Sequence, residues 1–517
     1  VDARVVANGS AAEALQDKLL QFLVHNPKEA FVFSGLDFWI FFGVFLFFFA
    51  ISYKNIRTRN LVFLCFSLFF YYKSSGWAIF LLLFTLTEDF IIAHFVYRSS
   101  KRKIRLFLIT LSVFSNLLVL SYFKYTFFFI DLFNSWLGTD VEKLNWLAWC
   151  IPQNDYLSFD LDHIILPVGI SFFTFQSLSY TIDVYRGEIK PLRSWLDFAF
   201  FASFFPQLVA GPIVRAKDFV GQIFAEYQVS KQVFGKGVFL ILSGLFKKVV
   251  ISDVISTQLV DRVFDQARLV SPLESWLGFY GYGVQIFCDF SGYTDIAIGL
   301  ALILGFRLNP NFDQPYKSVS ITEFWRRWHI SLSVWLRDYL YIPLGGSRRG
   351  TFRTYFNLLT TMLLGGLWHG AHLKFLLWGG MHGAALVVHK LWSALAQKWH
   401  IQLPNPVAWF LTFHFALLCW LPFRAADLET VSILLQRMLT PWDMALVLPV
   451  LSQYMLPTVL IGFGLFLHFL PDNFKARIIG IFEGAGLIWL GFFSIVAILV
   501  IYQFKTAESQ PFIYFQF

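Results

Sequence analysis

LLGGLWHGAH (363–372) is the stretch on which the reading of the chain turns. Leucines and glycines surround a tryptophan and two histidines, and no Asp or Glu occurs between residues 339 and 426. An ionisable ring in such surroundings is costly at bilayer depth and marks a function by default. On a continuous helix Gly365, Gly366, His369 and His372 fall three and four residues apart and share a face. The two glycines then either let a substrate approach the ring or let another helix pack through small residues. The missing carboxylate argues against an HExxH zinc hydrolase. It suits a neutral imidazole acting as general base. For His369 the residue types leave catalytic, structural and metal-ligand roles open.

The rest of the chain supplies the membrane. Of 517 residues 57% are hydrophobic and 14% charged, with 64 phenylalanines and a mean hydropathy of +0.60. An average soluble domain is about 25% charged. Apolar runs approach or exceed the roughly 20 residues of a membrane-crossing helix and lack the alternation of a barrel. The fold class expected is all-α, a polytopic membrane bundle of about 11–13 helices including re-entrant segments. Spans are expected near 36–53, 61–73, 77–97, 105–123, 163–183, 195–212, 233–256, 277–303, 354–378, 376–396, 405–423, 449–469 and 479–503. Residues 1–33 form a polar extension in which AAEALQDKLLQFLV fits an amphipathic surface helix or a loosely ordered tail; 34–510 form the membrane domain; 511–517 form an aromatic C-terminal motif. Four scattered cysteines suggest neither a metal site nor a disulfide framework. A net charge of +8 fits basic cytoplasmic loops rather than nucleic-acid binding. YKNIRTRN (53–60) and YRSSKRKIR (97–105) are expected in the cytoplasm, which leaves the N-terminus outside.

Three further polar stretches stand out. In FCDFSGYTDIAIG (287–299), Asp289 and Asp295 flank Ser291. They fit ion or proton ligands. They fit equally a structural role, paired with Arg326 or Arg327 or capping a helix broken at Ser291-Gly292. In ITEFWRRWHISLSVWLRDYLYIPLGG (321–346), Trp325, Trp328 and Trp335 share a helical face, and Arg326, Arg327, Arg337 and Asp338 fall on others. Interfacial anchoring accounts for the tryptophans and arginines but not for His329. FWRRWH (324–329) and SRRGTFR (347–353) are expected at the cytoplasmic face. In PFIYFQF (511–517) Tyr514 is the only hydroxyl.

These motifs, with LPVGISFFTFQSLSY (166–180), FFPQLVAGPI (204–213) and GGLWHG (365–370), resemble the membrane-bound O-acyltransferase superfamily in its bacterial, alginate O-acetyltransferase branch. That branch is related to peptidoglycan O-acetyltransferases and teichoic-acid D-alanyltransferases. The resemblance implies a helical bundle thinned by a tunnel, with His369 as the catalytic residue and His329 as a second polar site near donor entry. Trp325, Arg326, Arg327, Trp328, Asp289, Ser291, Asp338 and Trp368 become candidates for lining the tunnel or binding the donor. It implies no bound cofactor and no metal. The donor would be a cytosolic acyl thioester, acetyl-CoA or acyl carrier protein. The acceptor would be a cell-envelope or secreted polysaccharide, reached through an extracytoplasmic acetyltransferase partner of the AlgJ, AlgX or PatB kind. The implied location is the bacterial cytoplasmic (inner) membrane. A C-terminal aromatic motif with a tyrosine has been proposed as an acyl carrier in related systems, and Tyr514 resembles it; a packed plug is the alternative. Competing readings are D-alanyl transfer to teichoic acid, a transporter, and a noncatalytic scaffold for exopolysaccharide export.

Overall fold

A computed structural model describes residues 22–26, 31–150, 164–208, 211–504 and 512. Among them every regular element is helical. The chain divides into two units, residues 1–126, 140–209 and 215–227, and residues 127–139, 210–214 and 228–517. The division crosses the stretch 34–510 that the sequence offered as one domain.

The first unit contains α1 (Leu36–Ser52), α2 (Ile56–Ser75), α3 (Ile79–Arg98), the start of α4 (Arg102–Leu137), α5 (Ile170–Arg186), α6 (Trp195–Ser203) and α7 (Ala216–Ile223). Asn55 starts α2 by accepting from the Arg57 and Thr58 amides at 3.1 and 3.2 Å, an N-cap that satisfies two orphan donors. Lipid offers no hydrophobic drive between helices, so shape and polar contacts hold them together. Phe45 packs against Phe63 and Phe205 at 5.2 and 5.3 Å between centroids. Buried Arg59 donates to the carbonyls of Ile223 and Ala225 at 2.6 and 2.8 Å, closing the C-terminus of α7. Asp89 of α3 receives Ser112 Oγ and Asn116 Nδ2 of α4 at 2.6 and 3.0 Å. The Phe31–Phe33 stretch, assigned to the polar extension, is buried. Most of AAEALQDKLLQFLV lies outside the described residues.

In the second unit α8 (Lys231–Leu245) lies along α9 (Pro272–Ile303). Ser271 opens α9 with a capping box to Glu274, followed by Pro272 at the first position. Glycines set the distance between the two helices. A Cβ on Gly244 would stand 2.5 Å from the Gly292 carbonyl oxygen, and one on Gly299 2.6 Å from that of Gly237. Beyond α8 the backbone widens into π-helical turns at Phe246–Ser252 and Ser256–Val260. These turns place Lys248 between two acids. Its Nζ lies 2.6 Å from Asp289 Oδ1 and 2.8 Å from Asp253 Oδ1, all three side chains buried.

The rest of the unit comprises α10 (Ile321–Arg327), α11 (Ile330–Leu336), α12 (Thr351–His369), α13 (Leu373–Trp399), α14 (Asn405–Arg424), α15 (Leu428–Leu439), α16 (Met444–Gln453), α17 (Met455–Phe469), α18 (Asp472–Gly484) and α19 (Leu487–Gln503). Four helical stretches in the described residues are long and apolar enough to cross a membrane, or five if the pair α16 and α17, bent by 81°, counts as one span. The other expected spans are helical but short, broken or rich in buried polar groups. The span expected at 354–378 ends at His369, where Gly370 turns extended, and its successor starts at Leu373.

Removing the cation from the buried trio leaves two carboxylates without it, a change that costs about 3–5 kcal/mol. Lys248→Met is expected to lower the detergent-solubilised melting temperature sharply or to abolish folded protein. The triple variant Lys248→Met, Asp289→Asn, Asp253→Asn should recover most of the loss. A Lys248→Met melt equal to wild type would contradict a structural trio.

Candidate functional site

The tryptophan-rich segment is not one helix. α10 stops at Arg327, Trp328 is extended, and His329 takes a left-handed backbone conformation, φ 44° and ψ 55°. Trp325, Trp328 and Trp335 therefore do not share one helical face. Such a conformation costs a non-glycine residue about 1–3 kcal/mol and persists only where the surroundings impose it. Asn311 imposes it here. Its carbonyl accepts the Ile330 amide at 2.9 Å. Its side-chain Oδ1 accepts the Ser331 amide at 3.2 Å and Ser331 Oγ at 2.9 Å, and faces His329 Nδ1 at 3.1 Å. Ser331 Oγ in turn accepts the Ile213 amide at 3.0 Å.

This network fixes two protonation details. The Ser331 amide can only donate, so the Asn311 atom facing it is the oxygen. His329 Nδ1, sharing that oxygen, must carry a hydrogen. Nε2 then holds the lone pair. Asn311 Nδ2 is buried and has no hydrogen-bond partner.

His329 is fully buried, and His369 is 3% exposed. Trp368 stands between their rings, 6.1 Å from His329 and 5.0 Å from His369 between centroids. Trp378 and Phe423 close on His369 edge-to-face at 4.9 and 5.3 Å. Trp420 packs against Trp328 at 4.8 Å, the rings tilted by 47°. The result is an aromatic box around two imidazoles. Its floor is a close helix crossing. A Cβ on Gly366 would stand 2.2 Å from the Phe375 carbonyl oxygen, and one on Gly379 2.3 Å from that of Met362. Helix packing therefore accounts for Gly366. His372 does not share the face of His369. It caps the next helix, accepting the Lys374 amide at 3.2 Å.

Other candidates fall elsewhere. Asp289 pairs with Lys248, and Asp295 with Lys247 at 2.5 Å, rather than with Arg326 or Arg327. α9 runs unbroken through Ser291 and Gly292, and Lys247 Nζ lies 3.5 Å from Ser291 Oγ. α9 meets the site instead through Phe290, edge-on to His329 at 4.7 Å. Arg326 is exposed. Arg327 bonds Glu323 and Asp313 at 2.9 and 3.3 Å. Asp338 is paired with its neighbour Arg337 at 2.7 Å. Trp325 Nε1 donates to His382 Nδ1 at 3.3 Å. His382, fully buried against Trp378 at 4.8 Å, was missed. The run GGMHG (379–383) repeats the glycine–histidine pattern of GGLWHG and was its signal. Among the described residues no group of three or more His, Cys, Asp or Glu has a metal-holding arrangement. Tyr514 lies outside the described residues. Phe512, two residues earlier, is fully buried on Phe290 and Tyr293 at 5.5 and 4.6 Å.

The structure thus brings His329 and His369 to opposite sides of Trp368, in a box with aromatic walls. Residues 190–426 match the MBOAT, membrane-bound O-acyltransferase family. The chain is 42% identical over 402 residues to the probable alginate O-acetylase AlgI of Pseudomonas aeruginosa, covering 77% of this chain and 72% of that one. It is 36% identical over 411 residues to the peptidoglycan O-acetyltransferase of Helicobacter pylori, 74% of each. It is 27% identical over 282 residues to the teichoic acid D-alanyltransferase of Bacillus subtilis, 51% of this chain and 68% of that one. Against four further probable alginate O-acetylases the match spans 58–61% of the relative's length. The chain belongs to the membrane-bound O-acyltransferase family.

The Asn311 network predicts a split between two variants. Asn311→Ala removes the acceptor for His329 and Ser331 and is expected to lower the melting temperature markedly, since an unmet buried donor costs about 1–3 kcal/mol. Asn311→Asp keeps an oxygen toward both and should fold better than Asn311→Ala. Equal melts for the two variants would show that Oδ1 does not hold the break.

Proposed function

We propose that the chain takes an acetyl group from a cytosolic thioester and passes it toward a cell-envelope or secreted polysaccharide. The observation that carries this reading is the box in which Trp368 links His329 and His369, in a chain whose relatives are named for O-acetylation of alginate and peptidoglycan.

The acceptor hydroxyl oxygen attacks the thioester carbonyl carbon as His369 takes the hydroxyl proton. The tetrahedral intermediate then collapses, the C–S bond breaks, and the thiolate leaves with that proton. His369 ends α12, so the negative end of the helix dipole favours the charge that develops on its ring. His329, with its lone pair on Nε2, orients the donor by accepting an N–H, such as a pantetheine amide. Aromatic walls, with no carboxylate among the described box residues, keep water from the thioester and so protect it from hydrolysis.

The donor is acetyl-CoA or an acyl carrier protein, met first by the exposed Arg326, Arg348 and Arg349. Tyr514 is the first acceptor, and an extracytoplasmic acetyltransferase partner of the AlgJ, AlgX or PatB kind completes delivery to the polymer. The burial of Phe512 beside Phe290, itself against His329, supports this, because it tethers the C-terminal motif two residues from Tyr514. Arginine placement supports an inner-membrane protein with an extracytoplasmic N-terminus.

Cells making His369→Ala at matched membrane levels are expected to lose polysaccharide ester at least 100-fold with polymer yield unchanged. Base hydrolysis and analysis of the released acid check this and identify the acyl group; D-alanine in place of acetate would redirect the assignment. Unchanged ester would favour a scaffold. Mass spectrometry of the C-terminal peptide under turnover should find acyl-Tyr514 in wild type and none in His369→Ala. An unmodified tail in active wild type would remove the relay.

A further inference from the structure

A second cavity lies apart from the box, among α8 and its π-helical continuation, α9, α17 and α18. It encloses about 270 Å³, just under the ~300 Å³ where small-molecule sites begin. Its walls are mostly apolar, with Phe239, Phe246, Leu467 and Ile478 among them.

The polar groups in this wall are unusual. His468 is 4% exposed, and its ring is fixed edge-on to Phe287 at 4.6 Å. The Tyr316 amide donates to Nε2 at 3.1 Å, so Nδ1 carries the hydrogen. That buried N–H has no partner. Gln314 donates its Nε2 to Asp472, and its Oε1 is left buried and unpartnered. The lining holds two ammonium groups against one carboxylate. Lys247 is taken by Asp295 at 2.5 Å. Lys475 reaches the His468 carbonyl at 3.1 Å.

We infer that this cavity binds the headgroup and first methylenes of an anionic phospholipid of the phosphatidylglycerol kind. The phosphodiester accepts from His468 Nδ1 and balances Lys475. A headgroup hydroxyl donates to Gln314 Oε1. The apolar walls take the start of an acyl chain. A lipid is favoured over a soluble phosphate because α17 presents Val459, Phe463 and Phe466 outward, so the neighbouring solvent is bilayer. The turn from apolar α17 to polar Asp472, Asn473 and Lys475 sets the headgroup level at the same place.

The test is native mass spectrometry of the full-length, delipidated protein titrated with phosphatidylglycerol, phosphatidylcholine, inorganic phosphate or coenzyme A. One tightly held phosphatidylglycerol is expected, with phosphatidylcholine at least about tenfold weaker. Lys475→Gln should weaken phosphatidylglycerol about tenfold with an unchanged melt, since the glutamine amide still offers an N–H to the His468 carbonyl that Lys475 now reaches. His468→Phe should do the same, and is read beside Lys475→Gln because it also removes the acceptor of the Tyr316 amide. Equal retention of both lipids, or retention untouched by Lys475→Gln, overturns the site. Saturable displacement of phosphatidylglycerol by inorganic phosphate or coenzyme A, abolished by Lys475→Gln, overturns the lipid assignment in favour of a soluble phosphate ligand.

Discussion

A helix broken inside a packed bundle leaves buried backbone groups that the protein itself must satisfy, and at His329 one asparagine satisfies them. Asn311 receives the Ile330 amide on its carbonyl and the Ser331 amide and hydroxyl on its side chain. Without that acceptor the strained His329 backbone has no reason to persist, and continuing α10 through it would turn the imidazole away from its present neighbours. The same oxygen orders the protons. Placing the hydrogen on Nδ1 makes Nε2 the basic atom, so one interaction sets both the position and the chemistry of the ring.

The scaffold around this break is built to approach closely rather than to bury area. Gly244 and Gly292, and separately Gly366 and Gly379, bring helix backbones together at distances a Cβ would forbid. In lipid this is the available route to strong packing. The charged trio Lys248, Asp253 and Asp289 sits beside the first of these crossings. A buried ion pair adds little net stability, but it penalises any slip of the π-helical turn along α9, because a slip pulls buried paired charges apart.

How much of this was legible follows from the kind of signal each part leaves. Composition and runs of phenylalanine report the solvent, so the all-α membrane class was readable. His369 was readable because an ionisable ring among leucines and glycines is conspicuous. The break at Trp328–His329 was not, since tryptophans at helical spacing read as one face and no proline or glycine interrupts them. Asn311 lies in NPNFDQP (309–315), where prolines on either side mark a turn and nothing local points to His329. Asp289 was noticed for its charge, yet its partner Lys248 lies some forty residues upstream in a segment that reads as an ordinary span. Helix periodicity carries no record of such long-range pairs. Glycine pairs were ambiguous for the same reason: the partner backbone that fills the space is not in the local sequence.

Under the proposed function, the aromatic box is the feature that suits the arrangement to acyl transfer. A thioester is activated toward any nucleophile, water included, so the group that activates the hydroxyl must sit where water does not. Carboxylates would drag water with them, and the described box residues include none. A neutral imidazole carries no net charge and still holds a lone pair. Tryptophan and phenylalanine exclude water, and here they do so as rings set edge to face around the imidazole. Trp368, Trp378 and Phe423 all present themselves to His369. On the proposed mechanism, a proton taken by His369 is held among walls that exclude water, and no carboxylate among the described box residues is there to trap it once the acyl group has moved.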